Sequence, residues 1–80
     1  MLYNKIIKKG VNEMETHTLR VWRQMRELSV EELAKQTGLH PVTVRNHETG
    51  YLKMSEISKK SYAYTLGIKT EQIKLPKRGK

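Results

Sequence analysis

Residues 28–50 read Leu-Ser-Val-Glu-Glu-Leu-Ala-Lys-Gln-Thr-Gly-Leu-His-Pro-Val-Thr-Val-Arg-Asn-His-Glu-Thr-Gly, and this stretch decides the fold. Ser29 and Glu32 stand at capping-box spacing: the Ser29 hydroxyl can accept from the Glu32 amide while the Glu32 carboxylate reaches back to the Ser29 amide. A helix over residues 30–37 follows, with Leu33 and Ala34 on its inner face. Gly38 stands where a left-handed residue ends a helix, and Leu39 is placed to pack back on it. Pro41 suits a first helical position, because its missing N–H would be unpaired there anyway. A second short helix over 41–48 follows, and Thr49-Gly50 ends it. Two short helices joined by a tight Gly-containing turn are the pattern of a helix-turn-helix, although the spacing alone is shared by many helical hairpins.

Outward from this core, Leu19 and Trp22 lie three apart on a helix over 18–27, a face that Met25 or Arg26 continues. Past Gly50, a loop through Tyr51, Leu52, Lys53 and Met54 leads to Ser55, a good N-cap for a helix running through Leu66 and stopped by Gly67. Ile68 and Ile73 flank a last short turn capped by Thr70. The expectation is an all-α domain, a compact bundle of about five short helices over residues 16–74. A basic tail, 75–80, follows it, and a flexible arm, 1–15, precedes it. Lys8-Lys9-Gly10-Val11 can be encoded by a purine-rich run resembling a bacterial ribosome-binding site, and Met14 follows at once. Residues 1–13 are therefore expected to be an upstream extension, with Met14 the native start.

The composition narrows the function. The 80 residues carry 16 Lys+Arg against 8 Asp+Glu, a net charge of +8, with no cysteine. No apolar run approaches the roughly 18 residues that would span a bilayer, so no membrane partner is expected. Without cysteine there are no disulfides, thiolate metal sites or cysteine nucleophiles. The acids are all glutamate, which excludes a Ser-His-Asp set. His17, His40 and His47 form no i, i+4 ligand pair. No P-loop is present, and Glu31-Glu32 are paired carboxylates on an exposed helix start. The expectation is a non-enzyme with no metal and no cofactor. The basic excess points first to nucleic acid, although basic tails can also serve solubility alone.

A wider pattern is more specific: Leu19-x-x-Trp22-Arg23, Leu28-Ser29-x-x-Glu32-Leu33-Ala34, Thr37-Gly38-Leu39, Thr43-Val44, Glu48-x-Gly50, Ala63-x-x-Leu66-Gly67-Ile68 and Ile73. It resembles the DNA-binding domain of the Cro and lambda-repressor-like family of phage and bacterial regulators. The resemblance covers about residues 17–74. It implies a five-helix bundle with the third helix in the DNA major groove, binding as a homodimer to a double-stranded, palindromic operator. It also implies that Arg23 pairs with Glu48 as a structural clamp near the DNA backbone, leaving Arg23 a donor for a phosphate. The chain departs from the pattern at Val30, where a glutamine is common, at Pro41, at His47, where a large apolar residue is usual, and at Met54, a frequent proline. The corresponding location is cytoplasmic and nucleoid-associated, in a bacterium or a phage-infected cell.

The third helix can be read without the family. Its period turns Val44 and His47 inward and leaves Val42, Arg45 and Asn46 outside. Arg45 can contact guanine, Asn46 can contact adenine, and Val42 can touch a thymine methyl. Arg45 on a phosphate is an alternative of nearly equal weight. Candidate phosphate contacts are Ser29 and Val30 at a helix start with open amides, together with His40, Thr43, Thr49, Tyr51 and Lys53. Arg20 and Lys35 can flank the groove. Tyr51, Leu52 and Met54, with Ile68 and Ile73, suggest a partner surface, unless the isoleucines simply complete the core. Two other classes stay open: an antitoxin-like interaction module that also binds a toxin, and a non-specific nucleic-acid binder.

Overall fold

In the computed structural model, which describes residues 15–76, every helix boundary follows from a local hydrogen-bond device. Helix α1, Leu19–Met25, is capped by Thr18, whose Oγ1 accepts from the Val21 amide at 3.4 Å. Helix α2, Val30–Thr37, opens on the Ser29/Glu32 capping box and closes on Gly38 at φ 77°. The Leu39 amide donates to the Ala34 carbonyl at 3.0 Å, tying the turn to the helix end. Helix α3, Pro41–Thr49, carries Pro41 in its first turn and ends on Gly50 at φ 85°. Helix α4, Glu56–Leu66, is capped by Ser55 and closed by Gly67, with the Ile68 amide donating to Ala63.

Helix α1 is shorter at both ends than the expected 18–27. Glu27 takes a left-handed φ of 58°. Its amide donates to Gln24, and the Leu28 amide donates to Arg23. These are the two bonds of a helix-ending Schellman turn, in which glycine is the usual left-handed residue. Arg26, and not Met25, continues the inner face: its guanidinium lies 5.7 Å over the Trp22 ring, and its Nε donates to the Leu66 carbonyl at 2.9 Å.

The expected all-α bundle of about five helices is corrected at the C-terminal end. The described residues are mostly helical, with four α-helices, a three-residue 3-10 turn at Thr70–Gln72 and a small parallel sheet. Strand β1, His17–Thr18, pairs with β2, Ile73–Lys74, in the register His17 to Ile73 and Thr18 to Lys74. Three residues between Lys69 and Ile73 are too few for an α-helix. The β-branched Ile73 favours extension, as does the pre-proline position of Leu75. Thr70 is not the cap of this turn. Lys69 precedes it, and the Gln72 side chain accepts from the Lys69 amide at 3.0 Å. Gln72 is buried and joins several segments. Its Nε2 donates to the Glu15 carbonyl at 3.0 Å, and its own carbonyl accepts from Trp22 Nε1 at 2.7 Å.

The core comprises Leu19, Trp22, Leu33, Ala34, Val44, Met54, Tyr62, Ala63, Leu66 and Ile73, with Leu28, Val30, Leu39 and Ile68 packed at its edge. Met54 was expected in a partner-facing loop. It is 5 % exposed, because its unbranched, adaptable side chain packs into the core cluster. Ile68 and Ile73 also serve the core. Among the described residues no helix is long and apolar enough to cross a membrane. Of the arm expected at 1–15, residues 1–14 with the start at Met14 lie outside the described residues, as do residues 77–80 of the tail, while Glu15 is tied to the fold through its carbonyl, which accepts from Gln72.

The left-handed Glu27 generates a stability prediction. Glu27→Gly removes the Cβ strain of that conformation, which outweighs glycine's added chain entropy. The unfolding free energy should rise by about 1 kcal/mol, as read from the urea midpoint at unchanged m-value.

Candidate nucleic-acid interface

Helix α3 is held by its inner face. Val44 is fully buried and His47 is 3 % exposed. The outer row is Val42, Arg45, Asn46 and Thr49, at helical spacings of three and four. Val42 is 51 % exposed, Arg45 and Thr49 are exposed, and Asn46 is half-buried. The Asn46 backbone carbonyl accepts from the Leu52 amide, which fastens the following loop to the helix. In that loop Tyr51 and Lys53 are exposed. Arg20 and Lys35 are also exposed, on α1 and α2.

Each candidate phosphate contact has a definite state. His40 is the N-cap of α3: its Nδ1 accepts from the Val42 amide at 3.1 Å. That bond puts the proton of the neutral ring on Nε2, facing away from the cap. Thr43 is half-buried in the first turn of α3. Thr49 is exposed, but its hydroxyl donates to the Asn46 carbonyl and accepts from the Tyr51 amide, so it serves its own turn. The open amide expected at Ser29 is also corrected. The Ser29 amide donates to Glu32 at 2.8 Å, and Glu31 and Glu32 place two carboxylates in the first turn. What Ser29 can still offer is its hydroxyl hydrogen, since its Oγ accepts from the Glu32 amide. Val30 packs its side chain on the core edge.

Arg23 and Glu48 form a two-bond ion pair. Nε donates to Oε2 at 2.6 Å and Nη2 donates to Oε1 at 3.2 Å, with the side chains 13 % and 7 % exposed. Nη1 donates to the Leu28 carbonyl at 2.8 Å. All three guanidinium nitrogens therefore bind inside the protein, joining α1 to the end of α3 and to the α1–α2 turn. The donor expected for a phosphate shrinks to the second hydrogens of Nη1 and Nη2.

Beside this pair, His47 Nδ1 lies 2.6 Å from Tyr62 Oη, with the rings edge to face. Burial lowers the His47 pKa from its ordinary 6.5. Burial, and then the Glu48 charge, push the Tyr62 phenol well above its ordinary range. A neutral imidazole and a protonated phenol share one short hydrogen bond, so α3 and α4 are joined without a buried charge at that point.

Sequence reasoning did not single out Tyr62, Gln72 or the role of Glu31. Glu31 Oε2 accepts from Arg45 Nη2 at 3.1 Å across α2 and α3. The period of α4 could have shown that Tyr62 points inward, because it lies four residues before Leu66. Nothing local marks Gln72. Among the described residues no group of three or more His, Cys, Asp or Glu side chains is placed to hold a metal ion. Compared with known proteins, the chain matches no family model, no curated protein and no solved structure at a significant level.

Two outcomes follow from these buried polar groups. Glu48→Ala strands a buried guanidinium and should cost about 3 kcal/mol of stability. Thermal or urea unfolding checks it, and an unchanged midpoint would remove the clamp as a structural element. For His47 the folded pKa lies below the unfolded value, so the unfolded chain takes up the proton first. Its contribution is complete above about pH 6.5 and is lost as pH falls below that toward the folded pKa. The melting temperature should therefore drop through this window in wild type, and the drop should be smaller in His47→Gln.

Proposed function

We propose that the chain is a sequence-specific DNA-binding transcriptional regulator of the Cro and lambda-repressor-like class. One observation carries the reading: a nine-residue helix locked by Val44 and His47 turns Val42, Arg45 and Asn46 outward together, beside an exposed Lys53. A helix fits the major groove, where Arg can pair with guanine O6/N7, Asn with adenine N6/N7 and Val with a thymine methyl. Backbone contacts come from His40 Nε2, the Ser29 hydroxyl, Thr43, Tyr51 and Lys53, which set register without reading sequence. The net charge of +8 supports association with a polyanion.

On this reading the domain acts by occupying its site, excluding or recruiting polymerase in a bacterial or phage-infected cytoplasm. Two copies enter successive major grooves, so the operator is an approximate palindrome with half-sites about 34 Å apart. The reading assigns no catalytic step, metal or cofactor. A second reading, an antitoxin-like module with a protein partner, draws on one observation. Ile57 and Tyr64 stand seven residues apart on α4 and are 78 % and 89 % exposed.

Arg45→Ala should cost roughly 1–3 kcal/mol of binding and relax preference at one base position, and Asn46→Ala should do so at another. Lys53→Ala should weaken all sequences about equally and reduce the salt slope by about one unit. The measurement is a base-substitution panel at two salt concentrations on a site selected from random DNA. If none of the three variants alters discrimination, α3 is not the reading element and the interaction-module reading takes its place.

A further inference from the structure

Arg45 is the one Lys or Arg of α3, whose sequence is PVTVRNHET. It is not free on the surface. Its Nη2 donates to Glu31 Oε2 at 3.1 Å, with both side chains more than half exposed. Glu31 sits in the first turn of α2, so the pair bridges the two helices of the proposed reading unit. Its neighbour Glu32 cannot take this place, because it is bound to the Ser29 amide at 2.8 Å. Of the two first-turn carboxylates, one caps the helix and the other crosses to the reading face.

This arrangement works against simple phosphate affinity. A carboxylate beside a polyanion repels it and occupies the nearest cation. What the pair gives in exchange is orientation. One of the five guanidinium N–H groups is held by Glu31, and two of the others suffice for guanine O6 and N7. If Arg45 swung to a phosphate instead, the Glu31 carboxylate would be left unpaired against the DNA backbone.

We infer that Glu31 is a specificity-determining positioning residue: through its bond to Arg45 it lowers binding to every duplex and lowers binding to the wrong duplex most. Specificity of this kind comes from penalising the competitor as well as from favouring the target. The inference rests on the DNA-binding reading above.

Three variants of the full chain test it: Glu31→Gln, Glu32→Gln and Glu31→Gln combined with Arg45→Ala. Gln keeps the shape of each side chain and can still close the capping box at residue 32. Each protein is titrated against the selected site, its single-base variants and an unrelated duplex of equal length. Glu31→Gln should lower the ratio of specific to unrelated binding by about twofold to fivefold, the range of an exposed ion pair. The loss should fall at the base position that Arg45→Ala relaxes. Glu32→Gln removes the same charge without touching Arg45, so it should raise binding to all duplexes and leave the ratio unchanged. In the Arg45→Ala background, Glu31→Gln should leave discrimination unchanged.

Equal behaviour of the two glutamine variants would reduce Glu31 to a plain charge and overturn the inference. So would a change in discrimination that survives in the Arg45→Ala background, since Glu31 would then contact the DNA itself. A wild type that does not distinguish its selected site from the unrelated duplex overturns the DNA-binding reading along with this inference. A discriminating wild type with an unchanged Glu31→Gln ratio overturns this inference alone.

Discussion

The bidentate pair between Arg23 and Glu48 is the constraint on which the remaining geometry depends. It joins the last turn of α1 to the last turn of α3, and the third nitrogen of the same guanidinium holds the Leu28 carbonyl just before α2. One planar group thus sets the relative positions of three helices. A planar fork suits this task, because its donors cannot move independently. Both partners are largely out of water, so each needs the other. Burial, and then the Glu48 charge, raise the Tyr62 phenol pKa above its ordinary range, and it shares a hydrogen with His47.

Polar groups at two places therefore do work that a larger core would do by packing alone. His47 and Tyr62 join α3 to α4, and Gln72 joins the last turn to Glu15 and Trp22. Hydrogen bonds of this kind are directional, and they specify one arrangement where apolar contacts would tolerate several. In a domain with few large core residues this matters most for α3, since nine residues are too few for an isolated helix in water. Its stability is borrowed from α2, α4 and the clamp. In the outer row, Val42 and Arg45 are exposed and Asn46 is half-buried, so the row adds less to holding it than Val44 and His47 do.

Much of the fold was legible in the chain because its boundaries are made by neighbouring residues. Ser29 and Glu32, Gly38, Pro41, Ser55 and Gly67 act over three or four positions, so their roles follow from spacing and backbone sterics. The burial of Val44 and His47 follows from the period of the helix. The pairing of Arg23 with Glu48, 25 residues apart, came from resemblance rather than from any local rule.

By itself, then, the sequence determined four helices, the caps at Ser29, Gly38, Ser55 and Gly67, and the outward row of α3, since all of these are short-range consequences of side-chain shape and hydrogen-bonding capacity. Only the tertiary structure decided the rest. It closed α1 with a glutamate in a left-handed turn, and it replaced a fifth helix by a strand pairing His17 to Ile73 across 56 positions. It buried Met54 and set Glu31 against Arg45. The strand pairing, the burial of Met54 and the Glu31–Arg45 bond depend on which distant groups arrive within about 3 Å of one another. That distance is set by the packing of whole helices, and no residue pattern along the chain encodes it locally.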